Sequence, residues 1–322
     1  MKMQTNKISI LTILSVSLLL IGGTAGNVFA ISITPETDAT TLANNILGGG
    51  ITIVGVPTLT GTSQSCTPTG TFTDGFSSGL GIDAGIVITS GEVTLIDNLN
   101  DSDAATCVAG NPGDAMLTAI VGAPTFDAAI LAFDFEFGDG SVGGDLFFEF
   151  VFGSEEYNEF VNSQFNDVFA LFVDGTNVAL IPATATAVAI NTVNCDNPFN
   201  FPLGGSFCNF FNNNDLNDGG PIFDFEYDGF TDRFVAESLN LSPGLHTMAF
   251  KIADTSDSIL DSGVFIRGES FADNPPIPIG GTFIPIDTSA LLLAGVSSIS
   301  MWMIPVVIAG VGIGVFVIKR RK

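Results

Sequence analysis

From residue 132 to 137 the chain alternates strictly, with Phe133, Phe135 and Phe137 to one side and Asp134 and Glu136 to the other. That two-residue period predicts a half-buried strand. A second run sets Leu146, Phe148, Phe150 and Phe152 against Phe147, Glu149 and Val151, so its two faces are both largely apolar. Shorter strand-like runs fall at 168–173, 178–181, 246–252 and 264–266, with Gly-, Asn- and Asp-rich turns such as Gly138-Asp139-Gly140 and Asp174-Gly175 between them. Many short strands with turn punctuation predict an all-β fold, a single large antiparallel β-sandwich of jelly-roll-like form. Helical spacing is confined to two short stretches. Residues 38–47 place Ala39, Leu42, Ala43, Ile46 and Leu47 on one face and stop at Gly48-Gly49-Gly50, and residues 114–121 carry a weaker version. The glycine-rich stretch 138–145 resembles one copy of a calcium-binding nonapeptide, but one copy cannot build a β-helix, and a hairpin turn is the expectation there.

The two ends break this pattern. Residues 1–30 have the form of a signal peptide: Lys2 and Lys7, an apolar run at 8–21, then Val28-Phe29-Ala30 with small residues at the cleavage positions. Residues 288–318 carry no charge and are followed by Lys319-Arg320-Arg321-Lys322. A run longer than the ~20 apolar residues that cross a bilayer, closed by four cations, predicts a C-terminal transmembrane helix with a cytoplasmic basic tail at 319–322. The expected organisation is therefore an extracellular body at 31–273, a Pro/Gly-rich stalk at 274–287, and a single-pass anchor in the membrane.

Charge sharpens this picture. The chain holds 34 Asp+Glu against 9 Lys+Arg. All the acids lie between Glu36 and Asp287, where Arg233, Lys251 and Arg267 are the only basic residues. Such a body repels phosphate, which excludes nucleic acid as a partner. A surface of one sign is relieved by bound cations or salt. The single histidine, His246, excludes multi-His metal sites and opens a strand-like run, where a packed or strand-end role is expected.

Cys66, Cys107, Cys195 and Cys208 all belong to the body. No CxxC spacing is present and the histidine is remote, so disulfides are expected over a metal cluster. Four cysteines allow three pairings, and sequence proximity favours Cys66 with Cys107 and Cys195 with Cys208.

Several motifs in order carry a family resemblance: Gly85 to Gly91 (GIVITSG), Asp127 to Phe135 (DAAILAFDF), Gly153-Ser154-Glu155-Glu156-Tyr157, Asn166-Asp167-Val168-Phe169, Tyr227-Asp228-Gly229-Phe230-Thr231, Lys251-Ile252-Ala253-Asp254 and Asp261-Ser262-Gly263-Val264-Phe265. Over residues 36–271 the chain resembles the choice-of-anchor L domain family, exported microbial surface proteins with varied C-terminal anchors. The tail from Ile286 resembles the membrane anchors of archaeal surface proteins. The resemblance implies a place on the cell surface and brings no enzymatic role.

Candidate chemistry rests on carboxylates. Glu155 and Glu156 are adjacent, so on an extended chain they face opposite ways. Asn166, Asp167 and Asp174 can add oxygens, and Asp254, Asp257 and Asp261 form a second acidic series. Hard cations take six to eight oxygen ligands, so a structural Ca²⁺ among Glu155, Glu156, Asp167, Asp174, Asp254, Asp257 and Asp261 is the expectation; no other cofactor is indicated. Asn213 to Asp224 imitates a calcium loop only loosely, because Asp218 occupies the glycine position. The sequence therefore points to a non-catalytic adhesion, binding or envelope-associated module whose partner is an extracellular protein or glycan. The alternative is a carbohydrate-active protein, a glycosidase or lectin using acidic loop residues. It is weakened because only Tyr157 and Tyr227 offer polar aromatic stacking faces in the body and the one Trp lies in the anchor. Asn100-Asp101-Ser102 and Asn240-Leu241-Ser242 match the N-glycosylation pattern.

Overall fold

A computed structural model describes residues 30–97, 99–196 and 205–276. The expected signal peptide (1–30, save Ala30), the anchor, the basic tail and most of the stalk lie outside these residues. Among the described residues no helix is long and apolar enough to cross a membrane.

Two antiparallel sheets make up the body. The first has the order β1 (Ser32–Pro35), β3 (Thr69–Thr73), β4 (Gly85–Thr89), β14 (Ser262–Arg267), β6 (Gly144–Ser154), β11 (Gly229–Thr231) and β10 (Phe211–Asn213), with β12 (Phe234–Leu241) also paired to β6. The second runs β2 (Ile51–Thr60), β5 (Thr125–Phe137), β13 (His246–Thr255), β7 (Val168–Val173) and β8 (Thr176–Asn177), with β9 (Val188–Ala189) beside β7. The alternating run at 132–137 is the end of β5, and it buries its three phenylalanines against the facing sheet. On β6, Leu146, Phe148, Phe150 and Phe152 fill the same core. Its opposite face carries Val151 into a second cluster with Ile33, Phe72, Phe225, Tyr227 and Phe265. That second cluster explains why both faces of β6 read as apolar: loops cover the outer side of the first sheet. Aromatic side chains meet mostly edge to face, as Phe150 does on Phe234 and Phe133 on Phe271, the geometry favoured by the ring quadrupole.

The helices are short, as the pattern predicts. In α1 (Ala39–Ile46), Asp38 caps the first turn by accepting from the Thr41 amide at 2.7 Å, and Leu42, Ala43 and Ile46 face the core. The one-turn helix α2 (Gly75–Ser78) carries no periodic signal of its own. In α3 (Ala115–Val121), Asp114 accepts from the Met116 and Leu117 amides, and Leu117 packs over Ala170 and Phe172 of the second sheet.

Two expectations are corrected. Residues 138–145 do not form a hairpin: β5 pairs with β2 and β13, and β6 pairs with β14, β11 and β12, so this segment carries the chain from one sheet to the other. Residues 178–181 are not a strand either; the Ile181 amide donates to Thr186 across a turn, leaving one isolated bridge between Leu180 and Ala187. A true hairpin does occur at Asp174-Gly175, joining Val173 to Thr176 with both turn residues at positive φ, as a two-residue primed turn demands.

At its C-terminal end the body is latched. Phe271 is fully buried; its amide donates to Ile46 and its carbonyl accepts from Gly48, while Ala272 exchanges a pair of hydrogen bonds with Phe147. The disulfides join Cys66 to Cys107 and Cys195 to Cys208, the pairing that sequence proximity favours.

Candidate functional site

Strand register gathers the acids. In the first sheet Ser154 stands opposite both Ser262 and Gly229. One residue beyond that row come Asp261, Glu155 and Asp228, on three neighbouring strands, and the Glu155 amide donates to the Asp261 carbonyl at 3.1 Å. In the second sheet Val168 pairs with Ala253, so Asp167 and Asp254 continue that ladder in the same way. A Ser262 hydroxyl donating to Asp167 at 2.7 Å joins the two rows. The site is thus a line of acids at strand ends, with Asp254 the exception, still paired to Phe126 within β13.

The carboxylates are sunk in the framework. Glu155, Glu156, Asp167 and Asp254 are each 1% exposed, and Asp228 is fully buried. Asp261 is held by backbone: it accepts from the Cys107 and Glu92 amides at 3.0 and 3.2 Å and from the Thr106 hydroxyl. This ties the first disulfide to the acidic row. Asp167 accepts from the Thr255 amide at 2.8 Å. Glu155 accepts from the Ala105 amide at 3.2 Å through Oε2. Asp228 accepts from the Asn100 amide group at 2.6 Å through Oδ1, and Glu226 accepts from the Asp101 amide.

No side-chain cation reaches these groups. Glu149 takes Arg233, at 2.9 Å, and Arg267. Lys251 pairs with Asp114 at 2.6 Å. These are the Lys and Arg residues of the described chain. Burial consequently pushes the acids upward, and mutual repulsion adds to it: Glu156 to about 10, Asp228 to about 9, Asp167 to about 8, and Glu226 and Glu159 to about 7. Glu155 and Asp254 rise well above the carboxylate range for the same reasons. Asp261 reaches only about 6, because burial is opposed by its amide donors.

Of the sequence candidates, Glu155, Glu156, Asp167, Asp254, Asp257 and Asp261 fall in this one region, with Asp257 half-buried near Glu156. Asp174 does not. It lies in the β7–β8 hairpin, where it meets His246 at 2.7 Å and the Thr247 amide at 2.9 Å. Burial works against both charges of that pair, and the hydrogen bonds outweigh it, so Asp174 is lowered and His246 raised. His246 is buried at the start of β13 and packs on Phe135, the packed strand-end role expected of it. Asn166 is engaged by the Asn191 amide at 2.8 Å. The sequence reading missed Asn100, Glu226 and Asp228 as site residues. Asp228 shares a local signal with Glu155, an acid within two residues of a glycine at a strand end. Asn100 is 1% exposed, which removes the first glycosylation pattern from the folded surface; Asn240 is exposed. Asp215 of the supposed calcium loop organises its own turn, accepting from the Asn217 and Asp218 amides at 2.8 Å each.

Among the described residues, no group of three His, Cys, Asp or Glu side chains is placed to hold a metal ion. Any cation here must draw on amide and backbone oxygens as well.

The fold and the site define an acid-rich, disulfide-stapled β-sandwich domain with a set of buried carboxyl groups gathered at one set of strand ends. Residues 31–272 match the model of the choice-of-anchor L domain, and the chain belongs to that family. No curated protein and no solved structure matches it. Membership points to a protein of the cell surface, and the two disulfides agree with that compartment.

Proposed function

We propose that this is a display protein: exported by the 1–30 signal, held by the 288–318 membrane helix with its basic tail in the cytoplasm, and presenting its sandwich outside the cell as a non-catalytic adhesion, binding or envelope-associated module. One observation carries the reading. The carboxylates at the strand ends are part of the interior, 1% exposed or less at Glu155, Asp167, Asp228 and Asp254, whereas glycoside hydrolysis needs two acids facing a substrate across its bond. Of the buried acids, Glu156 borders a pocket of about 410 Å³, lined also by Phe160, Phe165, Ile259 and Leu260 and by Asp103 and Asp257. Apolar side chains beside acids suit a protein or glycan surface that brings its own hydroxyl or basic groups.

Two measurements test this. Protease shaving of intact cells should release the body; a body that survives shaving and is recovered from the cytosol would refute export. The purified protein should bind an envelope fraction or glycan array without turnover. Hydrolysis that disappears in Glu156→Gln would replace display with the carbohydrate-active reading.

A further inference from the structure

Besides Glu156 Oε2 and Asp254 Oδ1, three buried oxygens at the Glu155–Asp228 row have no hydrogen-bond partner among the described residues: Glu155 Oε1, Asp228 Oδ2 and Asn100 Oδ1. Their residues are 1%, 0% and 1% exposed. Leaving such groups unsatisfied forfeits their hydration without return, and more so for a charge. The other oxygen of each carboxylate is already used, by the Ala105 amide for Glu155 and the Asn100 side chain for Asp228. The three are brought together by structure, not by sequence proximity. Glu155 and Asp228 continue one ladder row, and Asn100 reaches that row by donating to Asp228 and to the Asn214 carbonyl at 3.0 Å. Glu155 also lines a small cavity of about 10 Å³ together with Glu226, Asp261 and Tyr227. Every Lys and Arg of the described residues is committed to Glu149 or Asp114, so none of them neutralises Glu155 or Asp228.

We propose that a hard divalent cation of the Ca²⁺ class binds here, with Glu155 Oε1, Asp228 Oδ2 and Asn100 Oδ1 as its side-chain ligands. All-oxygen donors exclude soft metals, and the cysteines are closed in disulfides. Two carboxylates and one amide are a low ligand charge, and Ca²⁺ completes its 6–8 oxygens with carbonyls and water where Mg²⁺ demands a tighter octahedron. Extracellular modules of this kind hold Ca²⁺ at ~10⁻⁴–10⁻³ M. Glu155, Asp228 and Asn100 do not line the pocket of about 410 Å³, and only the affinity expected here rests on the display reading.

The test uses the full chain in detergent, melted in chelator and then in Ca²⁺, Mg²⁺ or Na⁺ at matched ionic strength. Ca²⁺ should raise the midpoint, Mg²⁺ less, and Na⁺ not at all beyond screening. Terbium should bind in place of Ca²⁺ and emit on excitation of the adjacent Tyr227. Glu155→Gln and Asp228→Asn should each weaken Ca²⁺ by roughly tenfold or more while melting no lower than the parent in chelator, since an amide of the same shape replaces a buried carboxyl group. Asp139→Asn, in an exposed turn, should keep the full Ca²⁺ response. Equal midpoints in Ca²⁺ and Na⁺, or an undiminished Ca²⁺ response in both Glu155→Gln and Asp228→Asn, would overturn the proposal.

Discussion

Replacing Cys66 and Cys107 together by Ala removes a bridge that spans 41 residues. On the loop-closure relation, freeing a loop of that length raises the entropy of the unfolded chain enough to cost about 4 kcal/mol. The shorter bridge, Cys195–Cys208, spans 13 residues and by the same relation is worth about 3 kcal/mol. For a domain of this size each kcal/mol moves the melting midpoint by about 2–4 °C, so the first double variant should melt roughly 8–16 °C lower. A native-state consequence accompanies the entropic one. The Cys107 amide donates to both oxygens of Asp261, at 3.1 and 3.0 Å, so opening the bridge also loosens the loop that carries Asn100 and the Ala105 amide. Urea unfolding of both double variants gives the free energies, and hydrogen exchange gives the protection of residues 100–107. If the Cys66/Cys107 variant loses under about 1 kcal/mol, or less than the Cys195/Cys208 variant, the chain-entropy reasoning is wrong here.

Three further outcomes follow from the same structure. In chelator, stability should fall as pH rises from about 5 to 9, because Glu156, Asp167 and Asp228 hold protons in the folded state that the unfolded chain has released, a slope of about 1.4 kcal/mol per pH unit for each group so protonated; thermal melts across that range that rise instead would show these acids to be ionised in the fold. Phe150→Ala should cost about 3–5 kcal/mol in urea unfolding, since Phe150 is fully buried and packs on Phe148, Phe169 and Phe234. Gly263→Ala should destabilise by about 1–3 kcal/mol, because its Cβ would stand 2.1 Å from the Tyr227 hydroxyl; a companion Tyr227→Phe in that background should recover part of the loss, and no recovery would deny the clash.

Alternation made β5 and β6 legible, since a phenylalanine at every second position leaves one register in which all are buried. The same signal could not say where each strand would pair. Residues 138–145 have the composition of a hairpin, yet the partners of β5 and β6 lie more than a hundred residues away for β13 and β14. β2 and β12 were not singled out because much of each faces solvent: β2 exposes Val56, and β12 exposes Val235 and Leu239. Glu155, Asp167, Asp254 and Asp261 were legible because they fall in short segments dense in carboxylate and amide oxygens. Asn100, Glu226 and Asp228 did not, because what joins them to Glu155 is ladder register and a long-range hydrogen bond, neither of which leaves a local mark.

The latch at Phe271 sets how this body bears load. Whatever pulls on the chain beyond residue 276 meets the Asp273–Gly49 bond and the Ala272–Phe147 pair and then Phe271, whose ring is wedged edge-on between Phe133 and Phe135 and whose backbone is bonded to Ile46 and Gly48. Tension is therefore passed into the centre of the sandwich and shared by α1, β5 and β6, instead of peeling one edge strand away. Drag on the outer part of such a molecule would strain the whole body before it freed any single segment.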